Sequence, residues 1–243
     1  MTSSGSTTTD VMDETASPAP PSQRMIRVWD LPVRLCHWGF ALLLPAMWWT
    51  AENSEWAWHK RCGLALLGLL VFRIVWGFVG SRTARFADFV RGPRSVLAYL
   101  RGEWSGTIGH SPIGAVGTVV LLLAMCLQVG MGLFAGDPFD GATGPLNSLV
   151  GVLTADMLTD WHETFFDVLL VLVGLHLAAI AYYAVVKRNN LVGPMVSGLR
   201  SVEGDSGGIA PPSGLKALVV LLLSVALVVW VSTGAPPLGS GGT

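Results

Sequence analysis

The chain has 243 residues, 51% hydrophobic and 13% charged, with a formal net charge of -1 and a mean hydropathy of +0.56. A water-soluble domain carries about a quarter charged residues, so this composition excludes an ordinary soluble globule. It also excludes a nucleic-acid interface, because the few basic residues do not alternate with exposed aromatics.

Residues 1–22 are polar, rich in Ser, Thr and Pro, and carry Asp and Glu. They lack the basic start and apolar centre of a signal peptide, and are expected to form a disordered tail reaching about residue 24. Five segments that follow are long and apolar enough to cross a bilayer, which takes roughly 17–25 residues. They are 32–50, 59–79, 112–135, 162–186 and 214–232. The first is short and holds Pro45, but LLPAMWW continues directly from CHWGFAL. The fifth, LKALVVLLLSVALVVWVS, has neither histidine nor internal charge, and suits lipid-facing packing or a partner surface. Between spans two and three, FADFVRGPRSVLAYLRG is expected to lie on the membrane surface with Arg85, Arg91, Arg94 and Arg101 toward headgroups, partner docking being the second reading. Segment 136–160 reads as a loop with a short interfacial helix. Trp48, Trp49, Trp56, Trp58 and Trp161 fall where an aromatic belt belongs. The predicted fold is all-α: an integral membrane bundle with a four-helix core over 25–200, then a linker, a fifth transmembrane helix and a tail over 201–243.

Lys and Arg set the orientation. Of the 15, Lys60 and Arg61 lie on one side, Arg73 lies within span two, and the remaining twelve flank the other ends of the spans. The positive-inside rule puts the N-terminus in the cytoplasm and the C-terminus outside. Asp137, Asp140, Asp156 and Asp160 then face outward, where they either dock a basic partner or are simply solvated.

Four of the five histidines now acquire depths. His37 lies near the inner start of span one and His59 at the outer start of span two. His162 begins span four at the outer side, and His176 lies about 21 Å further in on the same face. A lone histidine at a helix end reads as a cap or an interfacial hydrogen bonder. Four at complementary depths read as two pairs, His59 with His162 outside and His37 with His176 inside. Two neutral imidazoles without a thioether anchor suit the axial positions of haem b, and with both positions closed such an iron carries electrons rather than activating oxygen. Another metal is disfavoured, since no Cys, Asp or Glu joins the histidines at ligand spacing. Glu163, beside His162, is expected to mark the first turn of its helix. Cys36, Cys62 and Cys126 have neither metal-site spacing nor a C-x-x-C-H haem attachment, and read as structural.

Arg73 shares a face with His59, and needs either an anion such as an inner-haem propionate or a route to the headgroups. His110, before Pro112, reads as a cap or interfacial hydrogen bonder, or as a neighbour of the inner haem or a quinone. Gly63, Gly68, Gly77, Gly130, Gly132 and Gly174 allow close helix packing or room for a flat porphyrin, Gly174 being the best placed for the latter.

These stretches resemble the bacterial cytochrome b561 and nickel-hydrogenase cytochrome b family: VWDLPVRLCHWGFALL at 28–43, WHKRCGLALLGLLVFRIVWGFVG at 58–80, GHSPIGAVGTVVLLLAMCLQVGMGLFAGD at 109–137 and WHETFFDVLLVLVGLHLAAIAYY at 161–183. The resemblance implies an inner-membrane diheme electron carrier with His37, His59, His162 and His176 as axial ligands. It further implies exchange with quinone and with a redox partner, either a c-type cytochrome or a dehydrogenase- or hydrogenase-type subunit. Two alternatives stand beside it: a free-standing oxidoreductase passing electrons from a small species such as superoxide to quinone, and a non-enzymatic anchor of a larger complex. The fifth span and the acidic, Pro-rich tail are additions to the four-helix pattern.

Overall fold

The computed structural model describes residues 23–104, 108–136, 141–203 and 207–238; the expected tail over 1–22 and the acidic residues Asp137 and Asp140 lie outside these. Asp30 starts the first helix. Its Oδ1 accepts from the Val33 amide at 2.8 Å and so caps α1 (Leu31–Glu52), with Pro32 in the first turn. Its Oδ2 accepts the Trp76 indole N–H at 3.0 Å, tying that end of α1 to the far end of α2 (Trp56–Val79). A tight turn at Asn53–Glu55 joins the two helices, with Ser54 at φ 55°. They therefore form an antiparallel hairpin in which Gly39 lies against Leu69.

Two short helices follow, α3 (Phe86–Phe89) and α4 (Pro93–Leu100). Helix α5 (Pro112–Phe134) is capped by Ser111, whose hydroxyl accepts from the Gly114 amide at 3.1 Å. After a 3-10 turn at Asn147–Leu149 comes α6 (Val152–Val185), then α7 (Val192–Ser197) and α8 (Gly214–Ser232). Helix α5 packs on α2 and α6, and α8 packs along α2. Leu66, Leu70, Leu122, Met125, Val129 and Leu169 form the core where α2, α5 and α6 meet. A second core of Ile26, Val28, Trp29, Cys36, Phe72 and Trp76 closes the end where α1 begins.

Helices α2, α5, α6 and α8 are each long and apolar enough to cross a membrane, so the chain is a multi-pass membrane helical bundle. Helix α1 has 22 residues but is not among them; Arg34, His37 and Pro45 make it less apolar. The outward faces of α6 and α8 expose Val171, Leu175, Leu218 and Leu222, an arrangement suited to lipid rather than water.

The structure departs from the expected elements in three places. Helix α6 begins at Val152 rather than 162, because nothing from Val152 to Trp161 breaks a helix; the interfacial helix and the span are one rod of 34 residues, about 51 Å long. Glu163 is consequently mid-helix and marks no first turn. The surface segment over 81–110 is two short helices, and α4 rests on α5 with Leu97 and Leu100 exposed. Finally, the bundle is not purely helical: β1 (Gln23–Arg27) pairs antiparallel with β2 (Leu199–Glu203), Gln23 opposite Glu203 and Arg27 opposite Leu199. The Val28 and Trp29 amides continue that contact by donating to Gly198 O at 2.8 and 3.2 Å, and Gly198 ends α7 at φ 82°, a conformation natural to glycine.

Asp30 is 1% exposed and holds two partners. Asp30→Ala is expected to remove the cap and strand a buried indole N–H, lowering stability by about 2–4 kcal/mol. Asp30→Asn keeps only the cap and lies between. Thermal unfolding in detergent measures both.

Candidate functional site

Three helices supply the four histidines, and α6 carries two of them. His59 on α2 stands against His162 on α6, ring centres 6.2 Å apart with planes at 86°. His37 on α1 stands against His176 on α6, ring centres 6.4 Å apart with planes at 56°. Fourteen residues of helix separate the α6 pair by about 21 Å, so the two imidazole pairs occupy opposite levels of the bundle.

At the His59 level, both rings are held by main-chain carbonyls. His59 Nδ1 donates to Met47 O at 3.0 Å, with the Thr50 hydroxyl at 3.3 Å. His162 Nδ1 donates to Gln128 O at 2.8 Å. A carbonyl oxygen only accepts, so the proton lies on Nδ1 in each ring and Nε2 keeps its lone pair. Gln128 also donates from its side-chain amide to His162 O at 2.8 Å. A Cβ placed at Gly132 would come within 2.8 Å of His162 Cε1, so glycine here gives the ring its space. At the other level, the buried Nδ1 of His37 has no partner among the described residues.

The remaining residues singled out by sequence fall as follows. A Cβ at Gly174 or Gly130 meets nothing within 4 Å, whereas Gly68 packs against Val228 of α8 and Gly77 against Phe86. Arg73 is 4% exposed and so does not reach the membrane surface. Its Nη1 donates to Ala84 O at 3.5 Å and its guanidinium lies 5.4 Å from the centre of the Phe86 ring. His110 packs between Trp29 and Phe89, ring centres 4.7 and 4.3 Å away. The cysteines are free thiols, Cys36 buried and the others partly so. Asp156 and Asp160 are exposed on the first turns of α6, while Trp48, Trp49, Trp58 and Trp161 are exposed at the His59 end.

Sequence reasoning did not single out Gln128 or Met47. Gln128 leaves one signal, being the only amide side chain in α5's apolar run. The Met47 contribution is a backbone carbonyl and leaves none.

Among the described residues, no three His, Cys, Asp or Glu side chains gather to hold a metal ion. A bare ion such as zinc takes about four ligands, whereas a haem iron takes only its axial ligands from the protein. Two imidazoles at each level are a complete axial set for the latter.

Fold and site together define a membrane helical bundle that brackets two positions, one above the other, with paired imidazoles. The chain belongs to the prokaryotic cytochrome b561 family, whose model matches residues 28–198. It is 24% identical over 213 residues to a probable Ni/Fe-hydrogenase B-type cytochrome subunit of Bradyrhizobium diazoefficiens, a match covering 72% of this chain and 85% of that protein. Its identity to a protein of the same description from Azotobacter chroococcum is 26% over 224 residues, covering 75% of this chain and 91% of the relative. No solved structure matches the chain significantly.

Burial, and secondarily the Arg73 charge, lowers the His110 pKa from 6.5 to about 3. The folded protein thus keeps this ring neutral where the unfolded chain protonates it. The stability it contributes is whole above pH 6.5 and falls as the pH drops toward 3, by at most about 1.4 kcal/mol per pH unit. Melting curves of wild type and His110→Phe between pH 7 and pH 4, values chosen to bracket roughly that window, are expected to show the steeper acid loss in wild type.

Proposed function

We propose that this protein is a diheme b cytochrome that moves single electrons between a membrane quinone and a protein redox partner. The separation of the ring centres carries the reading. Facing imidazoles at the separations seen here would leave room between them for a single metal atom. The pairs lie at 6.2 and 6.4 Å. A haem supplies a one-electron ferric/ferrous couple, and His37 with His176, and His59 with His162, would hold one each.

The protein's own groups do the rest. The carbonyls of Met47 and Gln128 orient the outer rings. Gly174, two residues before His176, leaves its side of α6 open for a flat ring. Arg73 has no carboxylate within ion-pair distance among the described residues and would meet an inner propionate, a buried guanidinium being costly without an anion. The positive-inside bias supports a cytoplasmic N-terminus, a periplasmic C-terminus and α1 as a further span in the bacterial inner membrane. On that orientation the His37–His176 level is the inner one, and His110, Arg73 and the loop basics offer a quinone site beside it. The names of the relatives favour a hydrogenase-type partner, and the exposed Asp156 and Asp160 suit a basic one such as a c-type cytochrome.

Purified in mild detergent, the chain is expected to give a b-type reduced-minus-oxidised spectrum and two haems per chain by pyridine haemochrome assay. His176→Ala should keep one of the two while eluting as an intact monodisperse protein. One haem or none in the wild type overturns the reading.

A further inference from the structure

We propose that Gln128 is a positioning residue for His162, and that the carbonyl contacts on the outer rings make the outer centre the lower in reduction potential. The inference rests on the diheme reading above. Its ground is an asymmetry between the two imidazole pairs.

Both outer rings donate Nδ1–H to a main-chain carbonyl, at 3.0 Å for His59 and 2.8 Å for His162. A hydrogen bond of this kind raises the basicity of the opposite ring nitrogen and fixes the ring plane. A more basic axial nitrogen stabilises ferric over ferrous iron, which lowers the potential; outer hydrogen bonding is one of the protein's levers on a haem. On the inner pair, His37 lacks the device: its Nδ1 is buried without a partner among the described residues.

Gln128 makes the outer contact exact in a way a carbonyl alone does not. It is 7% exposed, and it grips the same residue twice: its main-chain oxygen takes the ring proton, and its side-chain amide donates to the His162 carbonyl at 2.8 Å. Those two bonds fix both rotation and height of α6 against α5 at the ligand. Gly132, one turn along α5, presses no side chain on the ring. A haem held at each level would supply a one-electron couple, and the carbonyl contacts on His59 and His162 would set the outer one lower in potential than the inner.

The test is a potentiometric titration of the haem-loaded full chain. Wild type is expected to titrate in two waves, and His176→Ala, which retains only the outer centre, to keep the lower one. Gln128→Met, similar in size but without the amide donor, should shift the lower wave upward, change the outer centre's low-temperature EPR signature and leave the upper wave in place. Gly132→Ala, which crowds the same ring from the next turn of α5, should move the lower wave alone. Should His176→Ala retain the upper wave, or Gln128→Met and Gly132→Ala both leave the lower wave unmoved, the inference fails while the diheme reading stands. A chain with no haem fails the reading itself.

Discussion

In hydrocarbon a polar side chain survives only with a partner inside the protein, because no water is there to take one up. That constraint is visible at three places in this bundle. Each imidazole at the His59 level spends one nitrogen on a carbonyl, which leaves the other as a directed lone pair rather than a mobile donor. Asp30 is tolerated at 1% exposure because it accepts from two N–H groups. Arg73 is the conspicuous debtor, since a carbonyl at 3.5 Å and an aromatic face are weak company for a buried cation.

The two ends of the bundle solve different problems. The end where α1 starts carries one terminus each of α1, α2, α5, α6 and α8, and it is laced by polar contacts. Arg34 and Trp38 of α1 bond the carbonyls of Val196 and Met195, Tyr99 of α4 bonds Tyr183 of α6, and the β1–β2 ribbon ties the chain before α1 to the chain after α7. These contacts fix α1, the least apolar of the long helices, against the segment following α6, and so fix His37 against His176. The opposite end is tied by its own contacts, Asn147 Nδ2 donating to Phe134 O and Ala135 O and the Gly136 amide to the Thr159 hydroxyl. The early turns of α6 there carry the exposed acids that precede His162.

Much of this was legible in the amino-acid string because helices convert spacing into depth. Fourteen residues between His162 and His176 is a distance and a face at once, and α8 falls on the stretch 214–232 that its composition outlines. What escaped has physical reasons. The ribbon is made of five-residue strands whose partners are some 170 residues apart, a pairing no local pattern encodes. The start of α6 escaped because polar helix formers continue an apolar span without a break. At the site, the deciding contacts run to main-chain oxygens, which every residue possesses, so Met47 is invisible and Gln128 shows itself only as an amide in an apolar run.

Helix α8 lies beyond the segment that the family model matches, yet it does not disturb the site, and the reason is helical phase. On α2, His59, Leu66, Leu70 and Arg73 share one face. Gly68 is nine residues from His59, two and a half turns, and therefore lies on the opposite face. It is there that α8 packs, with Val228 only 3.3 Å from where a Gly68 Cβ would stand. All four histidines, Gln128, Gly132 and Arg73 belong to the matched segment, whereas α8 packs on the back of α2, away from His59. Its outer face, apolar and free of charge between Lys216 and Ser232, leaves the helix to meet lipid while its inner face stiffens the helix that carries His59.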